Sequence, residues 1–336
     1  MTSMIPTAPP VERELSFACA PYDRLTPLLV GEVPVDGVRI RPVPITRPTE
    51  IFRRMIGERP FDVAEMSLSQ TVRAAGRPDA PFRAIPVFTS RCFRHGYVFV
   101  DRRAGIESPA DLAGRRIGVQ HHGMSAAVWI RSALRTQFGV DLSGVTWVEG
   151  PVNPGAGDVT VERPGPRDLA VETLRAGEPG QTLSEQLAAG GIDAIIGAWV
   201  PDSFHASEDV VRLFPDHRAV ELDYHRATGI FPIMHTLAVR SDLVEELPDL
   251  AALLYDACVR SRDLAWEHHR STGALSTMLP WLLDDLAEVD AALGEGFWSY
   301  GVEANLPVLE AFAEQLLLEG AIAQMPDWDE VFLLRG

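Results

Sequence analysis

The sequence predicts an α/β protein of two lobes with a mostly helical C-terminal segment. Three observations carry that prediction. Strand-like runs alternate with helix-like runs through the first two thirds of the chain, the pattern of a parallel or mixed sheet covered on both faces. The length, 336 residues, is about two domains at roughly 150 residues each. From about Ser241 the chain turns helical, from DLVEELPDLAALLYDACVRSRDLAWEHH to NLPVLEAFAEQLLLEG.

Taken in order, LSFACA (Leu15 to Ala20) and VRIRPVPI (Val38 to Ile45) read as strands flanking YDRLTPLLVGEV. TEIFRRMIGE has helical apolar spacing at Ile51, Met55 and Ile56. FDVAEMS and RAIPVFTSR follow as short strand-and-turn units, and YVFVD (Tyr97 to Asp101) is β-branched and aromatic, as strands are. A second unit begins near SPADLAGRRIGVQ, where a short helix capped at Ser108 and Pro109 leads through Gly114 into a strand. In MSAAVWIRSALRTQFG, Ala127, Ile130, Leu134 and Phe138 share one helical face and Gly139 ends the helix. The Pro- and Gly-rich stretch from Glu149 to Arg167 reads as loop, and LSEQLAAGGIDAIIGAWVP as helix, Gly-Gly turn and buried strand. The runs Tyr97 to Arg103 and Leu222 to Arg240 are natural crossovers. They place residues 12–103 and 224–336 in one lobe and 104–223 in the other, with residues 1–11 as a loose, proline-bearing tail.

Composition narrows the function. With 46% hydrophobic and 23% charged residues the chain is of globular type. A net charge of −17 argues against nucleic-acid and anionic-membrane partners, which need a basic face, but allows a small anion in a local basic pocket. Cys19, Cys92 and Cys258 form no CxxC pair, so neither a disulfide framework nor a thiolate zinc site is expected. The stretch MTSMIPTAPPVERE lacks the basic and apolar regions of a secretory signal, and no apolar run approaches the ~18 residues of a membrane span. A cytoplasmic, soluble protein is the expectation, with an acidic helical C-terminus able to support self-association as a homo-oligomer.

Several strings carry a resemblance. FDVAEMSLS (Phe61 to Ser69), PVFTSRCFRHGYVFV (Pro86 to Val100), DLAGRRIGV, MSAAVWIRSAL, GIDAIIGAWVP and TGIFPIMHTLAVR occur in that order between about Leu15 and Pro280. Together they resemble 4,5-dihydroxyphthalate decarboxylases and their relatives. The resemblance implies a type II periplasmic-binding-protein-like fold, two α/β lobes joined by a hinge with the ligand gripped in the cleft between them. It also implies decarboxylation of a hydroxylated aromatic acid as the activity. One departure stands out: where members of the family often carry a Pro-Glu-Tyr-like stretch, this chain has QHHG, Gln120 to Gly123. Those residues are expected to line the cleft, so the reaction class transfers better than the exact substrate.

Such a reaction needs cations to hold carboxylates and an acid to protonate the ring carbon as carbon dioxide leaves. Hydroxyls ortho or para to the carboxylate enrich that carbon, so no cofactor is called for. On an extended chain Arg91 and His95 share one face and Arg94 takes the other. Arg91 is then a bidentate carboxylate clamp with His95 beside it and Arg94 as a second cation, or else Arg91 or Arg94 forms a structural ion pair with Asp62, Glu65 or Asp101. The resemblance favours the functional role.

In TGIFPIMH, Pro232 interrupts an apolar run that ends on His235. A proline is poorly suited to a central strand, so the segment reads as an edge or crossover passing the cleft. His235 is then a general acid toward the ring carbon, the alternative being a core histidine bound to a carbonyl. Glu65, near the end of a strand, either orients a histidine, accepts from a ring hydroxyl, or caps the backbone around Ser67 and Ser69. His121, His122 and Ser125 precede a helix whose free N–H groups suit a carboxylate, although Ser125 also serves as a plain cap. Trp199, after IIGA, faces the cleft or the core, and Trp129 and Phe231 read as core. His205, His217 and His225 read as loop residues without function.

No HxxxH or HExxH spacing occurs, so a metal-free site is expected, short of one assembled from distant residues such as His95, His235 and Glu65. Two competing functions remain on the same scaffold: a non-catalytic binding protein for an aromatic carboxylate, against which the missing secretory signal counts, and another lyase of biosynthesis.

Overall fold

The computed structural model describes residues 13–77, 79–155, 171–175 and 177–336. The expected tail, residues 1–11, and much of the expected Pro/Gly loop lie outside the described residues. Among the described residues the strands are β1 (Arg13–Cys19), β2 (Val38–Pro44), β3 (Val63–Ser67), β4 (Phe82–Arg91), β5 (Val98–Asp101), β6 (Arg116–Val119), β7 (Thr146–Glu149), β8 (Val171–Thr173), β9 (Ala194–Ile196), β10 (Val210–Arg212) and β11 (Ile233–Arg240). They form two sheets, ordered β2-β1-β3-β11-β4 and β10-β5-β9-β6-β7-β8. Both are mixed, as the alternation of strands and helices predicts: β1 runs parallel to β2 and β3, and β6 parallel to β7 and β9, while β11 is antiparallel to β3 and β4, and β5 to β9 and β10.

The prolines find positions where the missing N–H does least harm. Pro42 and Pro44 lie on edge strand β2. Pro232 sits just before β11, and this corrects an expectation: β11 is neither edge nor crossover but lies between β3 and β4. The strand begins only after the proline, at Ile233, so no ladder donor is lost, and the Pro232 carbonyl still accepts from the Cys92 N–H at 3.1 Å.

The chain leaves the first sheet after Arg91, enters the second at Val98, and returns between Arg212 and Ile233. Strand β5, which the sequence reading assigns to the first lobe, therefore pairs in the second sheet. The two crossings lie side by side. Gly96 N–H donates to Glu221 at 3.1 Å, the Gly96 carbonyl accepts from Arg212 at 3.0 Å, and a Cβ at Gly96 would meet the His217 ring at 2.6 Å. Helix His217–Thr228 occupies the return, capped by Asp216 and ended by Gly229 at φ 69°. His217 and His225 are thus helical, and His205 lies in the short helix Ser203–Ala206, where loops were expected.

Helix Ser125–Phe138 joins the two cores. Ala127, Ile130 and Leu134 enter the core over the second sheet, with Phe138 packed against it. Ala126, Trp129 and Ala133, one position away along the helix, enter the core over the first. There they meet the C-terminal helix Leu306–Leu318 at Phe312, with the Trp129 and Phe312 rings 5.2 Å apart. Two salt-bridged contacts of 2.6 Å between Arg131 and Glu319 fasten the pair. Among the described residues no helix is long and apolar enough to cross a membrane.

Candidate active site

A cavity of about 270 Å³ opens where strands of both sheets meet, just below the range of about 300–1,000 Å³ usual for small ligands. Tyr22 follows β1, Ser67 ends β3, Ser90 lies near the end of β4, Gln120 and His121 follow β6, Ala198 and Trp199 follow β9, and His235 lies near the start of the antiparallel β11. Ligand sites of open α/β sheets collect at such carboxyl ends. The walls are completed by Phe52, Gln70, Arg73, Arg94, Met124 and Ser125. In a chain of net charge −17, the lining holds two arginines and two histidines and, among the described residues, no carboxylate.

His235 is set from behind. Its Nδ1 lies 3.4 Å from the Tyr22 hydroxyl and 3.8 Å from Glu65 Oε2, while the Phe52 ring meets the imidazole edge-on with centroids 4.9 Å apart. Glu65 is fully buried on β3, where Ala20 N–H donates to it at 3.4 Å and Thr89 Oγ1 at 3.5 Å. The Tyr22 hydroxyl also hydrogen-bonds Glu65, and burial together with that carboxylate pushes the phenol far above its usual range. Tyr22 is therefore a neutral donor to Glu65 that accepts from Nδ1–H of His235. The other ring nitrogen, Nε2, has no hydrogen-bond partner among the described residues, and the imidazole lines the cavity.

On the opposite wall Gly123 N–H donates to Nδ1 of His121 at 3.1 Å, so the neutral ring carries its proton on Nε2. Ser125 stands at the start of its helix, but its hydroxyl does not cap it. It accepts from Ser69 N–H at 3.1 Å and bonds the Ser67 hydroxyl at 2.9 Å, tying the start of this helix to the end of β3. The first amides of the helix have no intrahelical acceptor, which favours an anion there. Arg94 lines the cavity with its guanidinium 4.8 Å over the Tyr97 ring and its Nε donating to Met234 Sδ at 3.4 Å, neither of which neutralises its charge.

Three expected site residues lie elsewhere. Arg91 is buried, donating to the Phe231 carbonyl at 3.3 Å, the Ser299 carbonyl at 2.8 Å and the Asn305 side chain. Desolvation lowers its pKa to about 9. It neither lines the cavity nor forms the ion pairs considered for it. His95 bonds Gln137 at 2.9 Å among Phe138, Phe214 and Tyr224, and borders only a void of about 10 Å³. Burial lowers its pKa as well. The alternation argument fails because β4 ends at Arg91, and a turn carries the chain through Arg94 into the 3₁₀ turn His95–Tyr97. His122, in the turn between β6 and helix Ser125–Phe138, points away from the cavity and packs on Trp147 with centroids 5.0 Å apart. Burial first, and then the charge of Arg131, lower its pKa to about 2. Trp199, 39% exposed, faces the cavity. Among the described residues no three His, Cys, Asp or Glu side chains converge as metal ligands.

Tyr22, Phe52, Gln70 and Arg73 are not anticipated by the sequence reading. Tyr22 had a signal, its position directly after a strand. Gln70 and Arg73 had a weaker one, spacing of three residues on the short helix Leu68–Ala74 that leaves β3.

No protein-family model matches the chain. It is 36% identical over 322 residues to the 4,5-dihydroxyphthalate decarboxylase of Comamonas testosteroni, covering 95% of this chain and 96% of that protein. It is 38% identical over 215 residues to the 4,5-dihydroxyphthalate decarboxylase of Pseudomonas putida, covering 63% and 81%. Among solved structures, a Candida albicans protein described as having the generic periplasmic-binding-protein fold superposes with TM-score 0.53 at 14% identity, over 95% of this chain and 93% of that one. That likeness shows the fold.

Proposed function

The chain belongs to the 4,5-dihydroxyphthalate decarboxylase family, and we propose that its cleft decarboxylates a hydroxylated aromatic acid, with arginines holding carboxylates and His235 protonating the ring. The enzyme is a carboxy-lyase. The observation that carries the finer reading is a cavity with cations and, among the described residues, no carboxylate in its lining, beside an imidazole backed by Tyr22 and Glu65.

Arg94 and Arg73, with the start of helix Ser125–Phe138, bind the carboxylates, and His121 borders them on the cavity wall. The imidazolium of His235 gives its Nε2 proton to the carbon that bears one carboxylate, and Glu65 supplies the countercharge behind Nδ1. That carbon forms its new C–H bond with electrons from the ring, which a para or ortho hydroxyl enriches. The bond to the carboxylate then breaks, its electron pair restores the aromatic ring, and carbon dioxide departs. Water returns a proton to His235, so the balance is one carboxylate and one proton consumed for one C–H bond and one carbon dioxide formed.

The test is carbon dioxide release, with product mass, from a panel of hydroxylated benzoates and phthalates. Turnover by the parent protein and its loss by at least a hundredfold in His235→Asn, with substrate affinity retained, is the expected result. Full turnover in His235→Asn overturns the proton-donor role, and tight binding without turnover in the parent moves the protein to a carboxylate-binding role.

A further inference from the structure

The two helices that wall the cavity carry on beyond it. Pro48, Thr49 and Phe52 of helix Pro48–Ile56, and Gln70 and Arg73 of helix Leu68–Ala74, line the cavity. The next residues along the same helices, Arg53, Ile56 and Gly57 on one and Gln70, Arg73 and Ala74 on the other, line an open groove of about 480 Å³. Gln70 and Arg73 are common to both, so cavity and groove meet at that shared wall.

The groove is basic on an acidic protein. Among the described residues, Arg53, Arg59, Arg73 and Arg77 line it against one carboxylate, Asp79. Asp79 pairs with Arg77 at 3.2 Å and Glu58 with Arg53 at 3.7 Å, both pairs exposed. Arg59 has no ion pair among the described residues and holds a left-handed backbone, φ 54°, that a glycine would adopt more readily. Its N–H closes the helix end on the Arg54 carbonyl at 2.8 Å. In the shared wall the Gln70 Oε1 is buried without a hydrogen-bond partner.

We propose that this groove is the substrate's entry path, a basic chute that captures the aromatic dianion and passes it by Gln70 and Arg73 into the cavity. The inference rests on the decarboxylase reading for the identity of the ligand, and on the groove for the route. A channel of one sign of charge raises the encounter rate of an oppositely charged ligand by about 10- to 1,000-fold, and salt removes the effect. In a protein whose overall field repels anions, a local basic entrance decides how fast a dianion arrives.

The experiment follows binding rather than turnover. Phthalate, a dianion without ring hydroxyls, is mixed rapidly with the full-length protein, and tryptophan fluorescence reports association between low and high ionic strength. The double variant Arg53→Gln, Arg59→Asn is expected to associate about tenfold more slowly at low salt, to match the parent at high salt, and to dissociate at the parent's rate. Should the variant fold poorly, the parent alone decides: its association rate must fall steeply with salt. An association rate insensitive to both salt and substitution overturns the route while leaving carbon dioxide release by the parent to stand. Salt-dependent capture of phthalate by a parent that releases no carbon dioxide overturns the decarboxylase reading and keeps the groove.

Discussion

Oε2 of Glu65 lies 3.8 Å from Nδ1 of His235, joining a fully buried carboxylate to an imidazole on the cavity wall. The sheet makes this contact. Glu65 pairs with Leu237 across β3 and β11, and Ser67 with His235, so Glu65 and His235 are diagonal neighbours on one face. A carboxylate in an otherwise apolar strand is expensive to bury, and here Ala20, Thr89 and Tyr22 supply donors.

Glu65→Gln keeps the shape and removes the charge. The expected outcome is a kcat lower by about a hundredfold with KM changed only a few-fold, measured by steady-state kinetics. Full kcat in a folded variant would remove Glu65 from the mechanism.

The two neighbouring arginines separate by function. Arg94→Ala is expected to weaken substrate binding by about 1.5–3 kcal/mol, read by calorimetry, with little change in the melting temperature. Arg91→Ala strands the Asn305 side chain and two carbonyls in the interior, and is expected to lower stability by about 3 kcal/mol while the folded protein binds normally.

His122 makes stability depend on acid. In the folded chain its pKa is lowered to about 2, against roughly 6.5 in the unfolded chain, so the unfolded state binds the extra proton. The stability from this neutral ring is complete above about pH 6.5 and is lost as pH falls from there toward 2, by up to about 1.4 kcal/mol per unit. His95, lowered in the same direction by burial, adds to the slope. Urea titrations at pH 7 and 5 are expected to show the loss in the parent and a shallower one in His122→Gln.

Glu319→Gln leaves Arg131 buried without its countercharge. A loss of about 3–5 kcal/mol in urea unfolding is expected, because one partner of a buried pair is stranded. A change below 1 kcal/mol would show that the C-terminal helix contributes little to holding helix Ser125–Phe138.

Consecutive residues were enough to mark most elements. The apolar spacing of Ala127, Ile130, Leu134 and Phe138 identifies one face of a helix that indeed packs there, and Gly139 ends it in the left-handed conformation. The same helix is buried on its other side by Ala126, Trp129 and Ala133, which no single amphipathic stripe reveals. In helix Pro48–Ile56, Ile51 and Met55 are buried as their spacing predicts, whereas Ile56 is 40% exposed and Phe52, outside that spacing, is buried beside the cavity. Helix His217–Thr228 was missed because its sequence is mostly polar, with Tyr224 its buried residue.

The strand-and-helix alternation, the acidic balance and the family strings are written along the chain, because periodicity and composition depend only on residues near one another. The site is not written that way. Tyr22, Glu65, Arg94, His121, Ser125, Trp199 and His235 come together only because β1, β3, β4, β6 and β9 end, and β11 begins, at one crevice, and that follows from sheet order, a long-range pairing. Tertiary structure also decided which cation faces the cavity: period-two alternation holds only while the chain remains a strand, and β4 stops at Arg91, three residues short of Arg94.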